Sequence, residues 1–170
     1  RFWARNFNAY AVAQLSDPEP LLSLRQELED MDHFKCSVAV WWFHSWVAET
    51  LLAAGRAQEA LEELETASGL IESSDERWGQ AEVERIRGEC LWRLEEPAQA
   101  EHWLRRAMAS ARDIGALTLE LRAALSLYRH LEASGRSAEG REALSPICTR
   151  FDDRSGLWEW QAARQMLGNG

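Results

Sequence analysis

Two sets of side chains in this sequence have types and spacings that could do chemistry. In the first, His33 and Cys36 stand one helical turn apart with Asp30, Asp32 and His44 nearby, a mixture of imidazole, thiol and carboxylate that suits a metal ion. A closed zinc site wants four ligands at dependable spacing, and no second Cys/His pair lies close in sequence, so no metal is assigned and these residues are read as packing or boundary residues. His102 and His130 receive the same reading. The second set is a series of acids, bases and aromatics: Glu82, Arg85, Glu89, Trp92 and Arg93, then Arg122, Leu125, Arg129 and Glu132. Arg85 with Glu89, and Glu89 with Arg93, stand four apart, the spacing at which side chains on one helix meet. Guanidinium groups at Arg85, Arg93, Arg122 and Arg129 are suited to receive a carboxylate or phosphate. The competing reading is a solvated ladder of ion pairs, each worth roughly 0.2–0.5 kcal/mol. Three more aromatics, Trp41, Trp42 and Trp46, fall within six positions and cannot all face one side of a helix; Trp41 and one neighbour are expected in a core, with Trp42 left for a binding surface. Phosphate loops of the form GxxxxGK[ST] or GxGxxG are missing, as are GxSxG, HExxH and paired CxxC motifs, so no catalytic residue and no cofactor is assigned.

Whatever positions these residues must be a folded scaffold, because 46% hydrophobic residues and nine Trp with only four Pro separate the chain from disordered compositions. At 170 residues it suffices for one domain that buries about 70% of the surface its unfolded chain exposes. A net charge of −9 opposes direct binding to nucleic acid or to an anionic membrane, both of which call for a basic surface. The longest apolar run, Val38 to Phe43, is six residues, against roughly 20 for a bilayer-spanning helix. Cys36, Cys90 and Cys148 are odd in number and widely spaced, which suits reduced thiols in a cytoplasm. The chain opens on Arg1 with no leader pattern and is read as a piece of a longer protein.

The scaffold shows itself as an internal repeat. LLAAGRAQEALEEL from Leu51, LWRLEEPAQAEHWL from Leu91 and LEASGRSAEGREAL from Leu131 superpose without gaps, each 40 residues after the last. Leu51, Leu91 and Leu131 correspond, as do Gly55, Glu95 and Gly135, and Ala60, Ala100 and Gly140. Between these anchors the apolar spacing is helical: Ala100, Trp103, Leu104, Ala107, Met108, Ala111 and Ile114 make one stripe, with Pro97 suited to a first turn and Gly115 to a left-handed position past the end. First helices are predicted near 36–54, 78–94 and 116–134, and second helices near 57–72, 97–114 and 137–151, with a kink at Pro146. The expected units are a degenerate one over 1–35, three repeats over 36–75, 76–115 and 116–155, and a capping helix over 156–168 carrying Leu157, Trp160, Ala163 and Leu167. All of 1–170 is then a single all-α repeat domain.

In each of the first two units a residue of the first helix lies twelve before a small residue of the second: Ala48 with Ala60, Gly88 with Ala100. This resembles the tetratricopeptide repeat, in which a small pair lets two helices approach closely. The resemblance implies a right-handed superhelical stack of antiparallel helix pairs, an α-solenoid whose first helices line a concave groove. Departures are the period of 40, Tyr128 in the small position of the third unit, and no Pro at Glu72, Arg112 or Asp152. The stretch from ERWGQAEVERIRGECLW at Glu76 onward through SPI at Ile147 is similar to the carboxy-terminal repeat arrays of large bacterial signalling proteins, in which a cyclase or LuxR-type module is joined to a signal-transduction ATPase. By that resemblance the chain is a non-catalytic docking or regulatory domain that binds a protein or peptide segment, including another part of its own parent chain. The alternative is a small-molecule effector sensor that uses the same groove to control an ATPase or cyclase module. Exposed terminal helices also allow a homodimer. The residues expected in the groove are Trp42, Glu82, Arg85, Glu89, Trp92, Arg93, Arg122 and Arg129.

Overall fold

The computed structural model describes residues 40–152 and 156–168. The degenerate unit expected over 1–35, with His33, and also Cys36, lies outside the described residues. The described residues form seven α-helices, α1 Val40–Ala53, α2 Ala57–Ser74, α3 Gln80–Arg93, α4 Pro97–Asp113, α5 Leu117–Ala133, α6 Ser137–Cys148 and α7 Trp158–Gly168, with a 3-10 turn at Arg77–Gly79 and no strand among them. Two compact units are divided between Gly79 and Gln80.

The repeat has a backbone cause. At four turns the residue past the helix end takes a positive φ: Gly55 at 78°, Glu95 at 61°, Gly115 at 69° and Gly135 at 76°. In each, the N–H of the next residue donates to the carbonyl five residues earlier, Arg56 to Leu51 at 2.8 Å, Glu96 to Leu91 at 3.0 Å, Ala116 to Ala111 at 2.9 Å and Arg136 to Leu131 at 2.7 Å. The positive-φ residue itself donates to the carbonyl three back, as Gly55 does to Leu52 at 3.0 Å and Gly135 to Glu132 at 3.0 Å. This double bond pattern closes the orphan carbonyls of a helix end and turns the chain sharply. The leucines that recur every 40 residues are therefore the acceptors of the turn as well as core residues. Glu95 adopts the same conformation without being glycine.

In the first unit α2 packs on α1 through one stripe, Ala57, Ala60, Leu64, Ala67 and Ile71. α1 is buried on nearly all sides, as its apolar circumference predicts; Trp41 and Trp46 are in the core and Trp42 is 38% exposed. Gly79 is required where it stands: a Cβ there would lie 2.3 Å from the Trp41 ring. His44 of α1 donates from Nδ1 to Glu63 of α2 at 2.8 Å, a buried polar bond inside this pair.

In the second unit α3 pairs with α4 and α5 with α6, while α7 lies on α5 and α6. The close approach of α3 and α4 depends on Gly88, where a Cβ would meet Leu104 Cγ at 2.7 Å and the Ala100 carbonyl oxygen at 3.2 Å. The third pair solves the same problem by exchange. Tyr128 is large where its equivalents are small, and Gly140 opposite it has no side chain, a Cβ there lying 3.0 Å from the tyrosine ring. Three local expectations are corrected. α6 ends at Cys148 instead of 151, two residues after Pro146, whose missing N–H takes a bond from the ladder. Ile114 follows the last residue of α4 and is exposed. The last helix starts at Trp158 and buries Trp160 and Ala163, whereas Leu157 precedes it and is exposed. Trp103 is half-buried at the edge of its stripe, with the Arg87 and Arg106 guanidiniums 4.8 and 4.9 Å from its ring centre. Cys90 is buried, which pushes its thiol up to about 12, and Cys148 is half-buried and raised by the same cause; both are unbridged. Among the described residues no helix is long and apolar enough to cross a membrane.

Candidate functional site

On α3, Glu82, Arg85, Glu89 and Trp92 follow one another at helical spacing, and α5 beside it carries Arg122, Ser126, Arg129 and His130. Glu82 accepts a hydrogen bond from Arg85 Nη2 at 2.7 Å, and the same oxygen lies 2.9 Å from Arg122 Nη2. Arg122 reaches on to Glu159 of α7, 4.0 Å away. Burial pushes the Glu82 carboxyl upward, but the charge and hydrogen bonds of Arg85 and the charge of Arg122 outweigh it and hold the group below the usual carboxylate range. Arg85 is only 8% exposed. These groups are therefore a partly buried network bridging helices, not the solvated ladder that spacing alone allowed.

A second link lies one turn along. Glu89 accepts from His130 Nε2 at 3.1 Å, and the imidazole stacks on Trp92 with centroids 4.3 Å apart and planes within 8°. Burial opposes the Glu89 charge, yet hydrogen bonds from His130 and Ser126, with the charges of His130 and Arg85, lower its pKa to about 2. His130 Nδ1 is buried without a hydrogen-bond partner among the described residues. The bland reading of His130 as a packing residue missed this. The repeat register contained the signal, since Glu89 plus 40 is Arg129 and so sets His130 beside it. Arg93 and Arg129 are exposed and make no ion pair among the described residues. The predicted set thus separates into held residues, Glu82, Arg85, Glu89, Trp92 and Arg122, and two outward cations.

Trp42 belongs to the first unit. Its ring stands 5.4 Å from that of Trp78 at 81°, and Trp78 is 44% exposed. Beneath them Trp41 donates from Nε1 to Glu76 at 2.7 Å. Sequence periodicity assigned Trp78 to the start of a helix; it stands instead in the 3-10 turn before α3, which frees it from the helical stripe. Among the described residues no group of three His, Cys, Asp or Glu side chains is placed to hold a metal ion.

Described residues that are all helical, in adjacent packed pairs with close small-residue contacts, define a tetratricopeptide-like α-solenoid fold. The family model described as tetratricopeptide repeat matches residues 39–113, which takes in α1 to α4. A search of curated proteins found no match. Repeats of this kind generally mediate protein–protein interaction.

Proposed function

We propose that this chain is a non-catalytic docking module that binds an acidic protein segment on the first-helix face of α3 and α5. The observation that supports it most is the division of labour among charges. Glu82 and Glu89 are each saturated by neighbours that fix Arg85, Arg122 and His130 in place, while Arg93 and Arg129 project from the same two helices with no internal partner among the described residues. A preordered surface loses little side-chain freedom on binding, and guanidinium forks match carboxylate geometry. Trp92 of α3, half-buried and braced by His130, supplies an aromatic anchor. The similarity to repeat arrays of bacterial signalling regulators supports a place in a cytoplasmic protein whose ATPase or cyclase module the docked segment controls.

The test is selection of peptides from a display library on the intact chain, followed by calorimetric titration of a selected peptide. Acidic peptides with an apolar residue are expected, and the R93A/R129A double variant should weaken binding about tenfold while leaving the far-ultraviolet spectrum unchanged. Peptides without acidic residues, or binding indifferent to both substitutions, would remove this reading.

A further inference from the structure

A second site lies away from the first-helix face, between the second helices α4 and α6. A cleft of about 490 Å³ opens there, within the range of small-molecule sites. Its floor is apolar, made by Met108 of α4 and by Ala143, Pro146 and Ile147 of α6. One wall is made of two arginines that share one acid. Glu120, 1% exposed near the start of α5, accepts from Arg112 Nε at 2.9 Å and Nη2 at 2.8 Å with one carboxylate oxygen, and from Arg150 Nη1 at 2.5 Å with the other.

The charge of this wall does not cancel. One carboxylate stands against two guanidiniums, and both arginines keep about half of their side-chain surface open, 60% for Arg112 and 47% for Arg150. The remaining arginine of the lining, Arg105, is held at 2.7 Å by Glu101, which also takes Arg136. Glu142 lies on the α6 wall, is exposed and balances part of the field. A buried acid fixes the two forks before any ligand arrives, which lowers the ordering cost of binding. Pro146 and the small side chains of Ala109 and Ala143 leave the space in front of them open.

We infer that this cleft binds a small ligand with one oxyanion, a carboxylate or phosphate, carried on an apolar body: the oxyanion on Arg112 and Arg150, the body on Met108, Pro146 and Ile147. The site is independent of the docking face, because none of its lining residues is among the α3 residues or the Arg122, Arg129 and His130 of that face.

The test is calorimetric titration of the whole chain with 2-naphthoate, 2-naphthyl phosphate and the uncharged 2-naphthamide. At least one of the two anions should bind, and the amide at least about tenfold more weakly, as expected for loss of a charge-assisted contact. R112Q or R150Q leaves Glu120 short of a partner and so risks the fold. A109W, which fills the cleft from an exposed position, is the primary variant, checked by circular dichroism, and should weaken the anions about tenfold or more. Equal binding of anion and amide would overturn the oxyanion role. Unchanged affinity in A109W would put the ligand elsewhere, and no binding by either anion would remove the site.

Discussion

Glu89 shows how a residue can be at once buried, charged and useful. Its carboxylate is drawn out of water by α5 and α3, a cost that is met only because His130, Ser126 and Arg85 surround it. The sign of the pH dependence follows. Its folded pKa lies near 2 against an ordinary 4.5, so its contribution to stability is fully present above about pH 4.5 and is lost as pH falls toward 2. The expected outcome is that E89Q unfolds at lower urea concentration than the parent at pH 7, by about 2–3 kcal/mol, and that the difference narrows steadily below pH 4.5. Urea titrations followed by tryptophan fluorescence at several pH values check it; a gap that widens in acid would contradict the Glu89 assignment. Arg85 behaves differently from Arg93 and Arg129 for the same reason. Removing Arg85 strips a partner from the half-buried Glu82, so R85A is expected to cost about 2–4 kcal/mol, whereas R93A and R129A stay within about 0.5 kcal/mol. Thermal denaturation of the three variants separates a structural arginine from two available ones.

At the scale of elements, each helix pair is set by a turn and a close contact, and both can be tested with glycine. Glu95 pays the left-handed strain that Gly55, Gly115 and Gly135 avoid, so E95G is expected to stabilise by about 1 kcal/mol, even though glycine also raises the entropy of the unfolded chain. Gly69 and Gly88 are both interior to helices, but a Cβ at Gly69 meets nothing within 4 Å while one at Gly88 meets Leu104 and Ala100. G69A should therefore gain roughly 0.5–1 kcal/mol of helix propensity, and G88A should lose stability despite the same gain. Ala100→Leu, at a fully buried position of that contact, should cost about 1–3 kcal/mol through overpacking. Melting temperatures of these four variants test the repeat register as a set. The register itself was legible in the sequence because turn acceptor, left-handed residue and small contact recur together every 40 residues, and the helix ranges follow from it. What periodicity could not supply is which polar groups are shared between helices. It located Glu82, Arg85 and Arg122 but could not choose between a groove and a solvated ladder, since solvent exposure on a helix flank depends on the neighbour that covers it. It read His130 as a packing residue and singled out neither Trp78 nor Glu120, because Glu89, Trp41 and Arg150, which they meet, lie 41, 37 and 30 residues away, beyond any local pattern.

For the whole molecule, charge acts at two ranges that oppose each other. The chain carries a net −9, so an acidic partner approaches against a long-range field, and only at contact do Arg93 and Arg129 attract it. Screening distinguishes the two. The field reaches about 30 Å at 0.01 M salt and about 8 Å at 0.15 M, whereas a contact pair is screened far less. For a selected acidic peptide the association rate constant is therefore expected to rise severalfold between those salt concentrations, the reverse of steered association between opposite charges, while the dissociation rate rises more modestly. In R93A/R129A the net charge becomes −11, so the association rate at low salt should drop further and dissociation should accelerate at every salt concentration. Stopped-flow tryptophan fluorescence measures both constants. An association rate that falls with salt would mean that local attraction by the arginines, and not the net charge of the molecule, governs the approach of the acidic peptide, which would overturn the two-range account.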